Sequence, residues 1–185
     1  MPDFLEQAEH LQQTYQRKLP PVHLWNPPLS GKLDMRIAKN GSWYYLGGEI
    51  KRQALADLFS SILKKEGEDY FLVTPVEKWK IDVEDAPFVV TEFEHQLAND
   101  DKQEYFVFTT LNGNRVVAGK DNPLWMEKKQ NIQQAQPYLL IRDGMPGLVH
   151  RNVYYQLIEI ALAREQGGKV GIWSGGEFFS LEEKN

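Results

Sequence analysis

Three arginines carry the chemistry that this sequence offers most readily. Arg36 lies in Asp34-Met35-Arg36-Ile37, a stretch that reads as a strand, so its side chain faces away from Met35 and Ile37. Arg52 completes Lys51-Arg52 where a helical apolar period begins, and Arg151 follows His150 in the same setting. A guanidinium grips phosphate through two parallel hydrogen bonds. A helix start adds free N–H groups and the positive end of the dipole. The three arginines are thus candidate phosphate contacts, with pairing to Asp34, Glu49 or Glu77 as the structural alternative. Trp25 beside Asn26 could stack a base while the amide reads its edge, and core packing is the alternative for every tryptophan. With Trp43 as a wall, and with Asp34 and Lys78 added, the candidate ligand-binding set is Trp25, Asn26, Asp34, Arg36, Trp43, Arg52, Lys78 and Arg151.

No residue is assigned a catalytic role, and no cofactor or metal is expected. His10, His23, His95 and His150 are isolated, without the close spacing of a zinc site. Glycines form neither GxGxxG nor a P-loop, and Ser60-Ser61 lies in a helical period rather than on a nucleophile elbow. A hydrolase would have to use Asp34 or Glu77 with Arg36. The absence of cysteine excludes disulfides, thiolate metal ligands and thiol nucleophiles. A formal net charge of −5 argues against bulk nucleic acid as a partner. No apolar run approaches the ~20 residues that cross a bilayer, and Met1-Pro2-Asp3-Phe4 lacks the layout of a signal peptide. The expectation is a cytoplasmic protein with no membrane partner.

The elements that must hold these residues follow from periodicity. Asp3 caps a predicted helix from Phe4 to Arg17 with Phe4, Leu5, Ala8, Leu11 and Tyr15 on one face. Leu33–Ile37 and Ser42–Leu46 read as a hairpin about Asn40-Gly41, and Gly47-Gly48 turns the chain again. Ala54, Leu55, Leu58, Phe59, Ile62 and Leu63 form a helical stripe stopped by Gly67. Strands follow at Tyr70–Thr74 and Lys78–Val83. After Glu84-Asp85-Ala86-Pro87 comes a meander: Phe88–Leu97, Tyr105–Thr110 and Arg115–Ala118. Asp121-Asn122-Pro123 reads as a loop. Pro137–Arg142 is a strand turned by Asp143-Gly144, Gly147–Arg151 leads into a helix, and Val170–Trp173 with Glu177–Leu181 closes the chain as a hairpin.

An internal repeat organises this order. At an offset of 99, Gly48 meets Gly147, Ile50 meets Val149, Arg52 meets Arg151, Leu58 meets Leu157 and Leu63 meets Leu162. Such self-similarity is a signature of duplication. The fold class is therefore α+β, with two repeat-related halves, 1–83 and 84–185, each with antiparallel strands and one main helix, plus an N-terminal helix.

Several motifs point further. Asp34-Met35-Arg36-Ile37, Leu72-Val73-Thr74-Pro75-Val76-Glu77-Lys78, Val83-Glu84-Asp85-Ala86-Pro87-Phe88 and Gly171-x-Trp173-Ser174-x-Gly176-x-Phe178-Phe179-x-Leu181 resemble, in order, a mostly proteobacterial family of unknown function. The resemblance runs from Trp25 to Leu181. It implies a duplicated α+β fold, a C-terminal half superficially like pleckstrin-homology folds, and no established enzymatic activity. It also implies a nucleotide-type ligand between the halves and a role in signalling. Asn122 and Trp125 stand where the family pattern has a histidine and an arginine, and Gly113-Asn114 replaces its acidic turn. The expected function is a non-enzymatic ligand-binding protein, and the alternative is a protein–protein interaction module using the meander around Glu92–Ala118 or the N-terminal helix.

Overall fold

The computed structural model describes residues 2–15, 18–98, 103–130, 132–164 and 167–183. The chain divides into two compact units, Met1–Asp85 and Ala86–Asn185. In the first, helix α1 (Pro2–Tyr15) and a 3-10 turn (Val22–Leu24) precede strands β1 (Leu29–Ile37), β2 (Trp43–Tyr45) and β3 (Gly48–Glu49). Helix α2 (Gln53–Ser61) follows, then β4 (Leu63–Glu66), β5 (Asp69–Val73) and β6 (Lys78–Val83). In the second, β7 (Phe88–Leu97), β8 (Glu104–Thr110) and β9 (Arg115–Val117) form one meander. A second meander is β10 (Leu124–Glu127), β11 (Gln136–Arg142) and β12 (Met145–Val149). Helix α3 (Arg151–Ala163) and the hairpin β13 (Gly171–Ser174), β14 (Glu177–Ser180) close the unit.

The two six-stranded sheets have one topology. The orders are β3-β2-β1-β6-β5-β4 and β10-β11-β12-β7-β8-β9. Each joins two antiparallel meanders through one parallel pair, β1 with β6 and β7 with β12. The halves are therefore repeats at the level of the sheet, and the chain is α+β. The helices take different places in that repeat: α2 links the two meanders of its unit, whereas α3 follows the sixth strand. In the second unit, two meanders and a trailing helix are compatible with a pleckstrin-homology-like half. The offset of 99 matches strand-turn-helix segments that hold different positions in the two sheets. Leu63 is buried in a strand while its counterpart Leu162 is exposed on a helix.

Local chemistry explains the turns. Gly41 supplies a positive φ of 88° between β1 and β2, and the Asn40 side chain accepts from the Ser42 amide. Asp143 and Gly144 both take positive φ, the mirror-image turn that matches strand twist. Three readings change. Asp3 lies inside the first helical turn rather than ahead of it, and Arg17 lies outside the described residues. The second helix ends at Ser61, because Leu63–Glu66 pairs with β5 and buries Leu63 while Gly67 turns the hairpin. Its buried residues are Ala56, Leu58, Phe59 and Ser60, so the expected Leu58 and Phe59 lie inward, and Ala54 is exposed. The loop after Asn122 contains a strand, Leu124–Glu127, that pairs with Gln136–Leu139.

The first unit packs α1 and α2 on one sheet face. Phe4, Phe59 and Trp43 stack in series, with ring centroids 6.4 and 5.9 Å apart. The Gln7 side-chain oxygen accepts from the buried Thr74 hydroxyl at 3.0 Å, which joins α1 to the end of β5. No helix among the described residues is long and apolar enough to cross a membrane.

Trp43 is 1% exposed and its indole N–H is enclosed without a partner. Trp43→Ala leaves a cavity and should cost about 3–5 kcal/mol in urea unfolding. Trp43→Phe keeps most of the ring and removes the orphan donor, so it should cost about 1.5 kcal/mol or less. Equal costs for the two variants would contradict a packing role.

Candidate functional site

The expected ligand residues of the first unit fall into separate groups, with Asp34 and Arg36 on the outer sheet face. Strand alternation puts Leu33, Met35 and Ile37 inward and Asp34 and Arg36 outward. Arg36 is held there by an ion pair to Glu84, and its guanidinium lies over Tyr44 at 4.2 Å. The Lys39 amide and Arg36 hold the Glu84 carboxyl below its ordinary range. The alternative reading for Arg36, a structural ion pair, thus applies, with Glu84 as the partner. Asp34 is exposed, and its backbone oxygen accepts from Leu46. Trp43 lies inward, in the core.

Trp25, Asn26 and Lys78 come together around one carboxylate. Lys64 donates to the Trp25 carbonyl at 2.9 Å and to Asn26 Oδ1 at 2.7 Å, and its ammonium lies 3.3 Å from Glu66. Lys78 meets the same carboxylate at 2.9 Å and lies over the Phe71 ring. The Trp25 ring packs on Val22, Phe71 and Val73. This group fastens the segment before β1 onto the outer sheet face. Arg52 is an exposed N-cap without a side-chain cap bond. Arg151 lies one residue into α3, where Nε donates to Tyr155 Oη at 2.6 Å, and the cap is His150, whose Nδ1 accepts from the Asn152 amide.

The second unit contains a cavity of about 620 Å³. Its lining comes from three sources: Glu104 and Phe106 on β8, Ile160 on α3 with Arg164 at the helix C-cap, and Lys169, Gly171, Ile172, Trp173 and Phe178 at the closing hairpin. Ser174 positions the hairpin. Its fully buried hydroxyl donates to the Ala118 carbonyl at 2.7 Å and accepts from the Phe106 amide at 2.9 Å. The Gly175 amide donates to the Glu104 carbonyl. Gly171 makes room for Phe178, because a Cβ there would lie 2.5 Å from that ring and 2.4 Å from a backbone oxygen.

The cavity presents an aromatic wall and two cations. The rings of Trp173 and Phe178 are 5.4 Å apart, and Trp173 is 59% exposed. Arg164 forms an ion pair with Glu104, and Lys169 has no ion-pair partner among the described residues. The Glu104 oxygen that meets Arg164 also accepts from His95 Nε2 at 2.8 Å, and the imidazole stacks on Phe106 at 4.5 Å. Aromatic faces beside cations suit a flat, negatively charged molecule.

Two family models cover the chain: the N-terminal domain of a domain of unknown function, DUF1285, over residues 20–86, and the C-terminal domain of the same family over residues 87–181. The chain belongs to the DUF1285 family. Among solved structures it is similar to a DUF1285 protein from Silicibacter pomeroyi DSS-3, at 41% identity and a TM-score of 0.84, over 96% of this chain and 93% of that one. A DUF1285 protein from Shewanella baltica OS155 is 29% identical with a TM-score of 0.52, over 69% and 91% of the two chains. No curated protein matches the sequence.

Asn122 and Trp125 both have structural work in this chain. Asn122 Nδ2 donates to the carbonyls of Leu140 and Ile141 at 2.9 and 3.1 Å, and so fixes the entry to β10. Trp125 stacks on Tyr138 and donates to Glu127. Arg164, Lys169 and Glu104 were not singled out by sequence, and His95, read there as isolated, meets the Glu104 carboxylate. His95 and Glu104 meet only because β7 and β8 pair with His95 opposite Phe106 and Leu97 opposite Glu104. The hairpin register was the available signal.

The Glu66 group gives a pH signature. A hydrogen bond from Lys78, with Lys64 assisting, lowers the Glu66 pKa from 4.5. Its contribution is complete above pH 4.5 and is lost as pH falls through the lower folded value. Glu66→Gln should therefore flatten the fall in Tm below pH 4.5 in scanning calorimetry. An acid limb unchanged from wild type would contradict this.

Proposed function

We propose that this DUF1285 protein binds a nucleotide-type small molecule in the cavity of its second unit and acts as a non-enzymatic ligand-binding component of bacterial signalling. The observation that carries the reading is the pairing of Trp173 and Phe178 with Arg164 and Lys169 around one cavity. Its volume of about 620 Å³ falls in the ~300–1,000 Å³ range of small-molecule sites. A base has a π-face for the exposed Trp173 ring, and stacking of this kind contributes about 1–3 kcal/mol. A phosphate matches Arg164 and Lys169. The ligand is assigned here rather than to Arg36 and Arg151, because neither lines this cavity, where aromatic faces and cations meet. Among the described lining residues Glu104 is the carboxylate, and His95 and Arg164 already share it. That arrangement favours binding over general acid–base chemistry.

A thermal-shift panel of nucleoside mono-, di- and triphosphates, followed by calorimetric titration, tests the reading. At least one member should raise Tm in proportion to its occupancy. Trp173→Ala should weaken its binding by about 5- to 150-fold, the equivalent of about 1–3 kcal/mol. Arg164→Met should weaken it further, while Arg52→Ala leaves it unchanged. A panel without any shift, or affinity insensitive to Trp173 and Arg164, would overturn the proposal.

A further inference from the structure

The cation that a ligand's anionic group needs is already occupied. Arg164 is paired to Glu104, and the same carboxylate oxygen holds His95 Nε2 at 2.8 Å. One carboxylate therefore serves two partners from two elements, β7 and α3. Both contacts sit at the cavity, since Glu104 and Arg164 line it and the His95 ring lies flat on its Phe106 wall at 4.5 Å.

We infer that Glu104 is an internal competitor for Arg164, displaced when an anionic ligand enters, and that a proton taken up by His95 stabilises the displaced carboxylate. The inference rests on the cavity of the second unit being the ligand site. Binding is then coupled to protonation, and affinity rises as pH falls through the histidine range.

The sign follows from charge balance. In the free protein Glu104 has one permanent cation, Arg164. An incoming anion takes that guanidinium and leaves the carboxylate, whose side chain is 25% exposed, without a full positive partner. The neutral imidazole donates Nε2–H to Glu104. Protonation at Nδ1 keeps that donor and adds a positive charge beside the stranded carboxylate. Ligand binding thus raises the proton affinity of His95, and by reciprocity a protonated His95 raises affinity for the ligand.

Few other groups bear on this imidazole. Glu104 faces it from β8 and Arg164 from α3, and Lys169 lines the same cavity from the approach to β13. On its own strand, the neighbour Glu94 alternates to the opposite face and is paired with Arg115. Among these groups, His95 is the imidazole, the side-chain type whose charge changes most readily near neutrality, and it reaches the cavity through Glu104 and Phe106.

Two measurements test the coupling, and the first needs no ligand. Arg164→Met imitates the removal of the guanidinium. NMR titration of the His95 ring should show its midpoint rising by about half to one unit in this variant. In a Glu104→Gln background most of that rise should vanish, because the carboxylate that transmits it is gone. A midpoint unmoved by Arg164→Met, or a rise that persists with Glu104→Gln, overturns the inference.

The second measurement uses naphthalene-1-sulfonate, a flat anion whose charge does not change between pH 5.5 and 8. Calorimetric titration should give about three- to tenfold tighter binding at the acid end for the wild type. His95→Gln should show no such change, and Glu104→Gln should bind more tightly at every pH. A wild-type affinity that is flat across this range, or absence of binding at either end, overturns the inference. Nucleotide binding that is insensitive to His95→Gln overturns it too, while leaving the ligand-binding reading in place. A nucleotide panel without any response removes that reading instead, whatever the ring titration shows.

Discussion

Each unit depends on a single parallel strand pair. Hairpins build antiparallel meanders from local turns, but β1 with β6 and β7 with β12 join across most of a unit's length. A parallel pair cannot be closed by a tight turn, so a long crossover must return the chain to the same end. Here the crossover carries the remaining strands, and α2 in the first unit travels within it. The central strands therefore bear the heaviest packing: Phe88, Val89 and Val90 are all buried, on both faces of β7. Gly147 in β12 lies opposite Phe88, where a Cβ would crowd Ile141 at 3.0 Å and the Phe88 Cβ at 3.4 Å. That glycine is a condition of the pairing rather than an ornament of a turn.

With the sheets fixed, the two units use their remaining elements differently. The first covers one face with α1 and α2 and leaves a charged ladder on the other, tied across by Lys32 with Asp82, Arg36 with Glu84 and Lys80 with Asp69. Exposed pairs of this kind add little stability individually, but they give the open face a charged surface. The second unit lays α3 against β7 and the closing hairpin against β8, and Ser174 locks the hairpin junction with two buried hydrogen bonds. Within the hairpin, Gly171 admits the Phe178 ring, which a Cβ there would displace. The cavity is the space left between the helix and the hairpin, so its lining mixes residues from a strand, a helix and a hairpin.

Much of this was legible in the sequence where the signal is local. Asn40-Gly41 and Asp143-Gly144 marked their turns, Phe88–Leu97 alternated as a strand, and the motifs around Asp34, Leu72, Val83 and Gly171 pointed to the family. The failures share a cause. Leu63 continued a helical period that the chain abandons once Lys64 and Glu66 find β5 and its neighbours. Leu124–Glu127 had too short a run to stand out from a loop. The recurrence of Arg52 as Arg151 was visible, but local recurrence carries no information about which strand neighbours which. His95, Glu104 and Arg164 could be joined only by a hairpin register and a helix docked from 60 residues away. Isolated histidines and ordinary glutamates look alike until such pairings are known.

The proposed ligand site is the cavity beside Trp173. Co-crystallisation with a nucleotide selected by thermal shift is the most direct measurement. The expected result is density for a base against Trp173 and Phe178, with its phosphate between Arg164 and Lys169 and Glu104 turned away from Arg164. Density for the nucleotide at another place on the chain, with the Arg164–Glu104 pair intact, would contradict it.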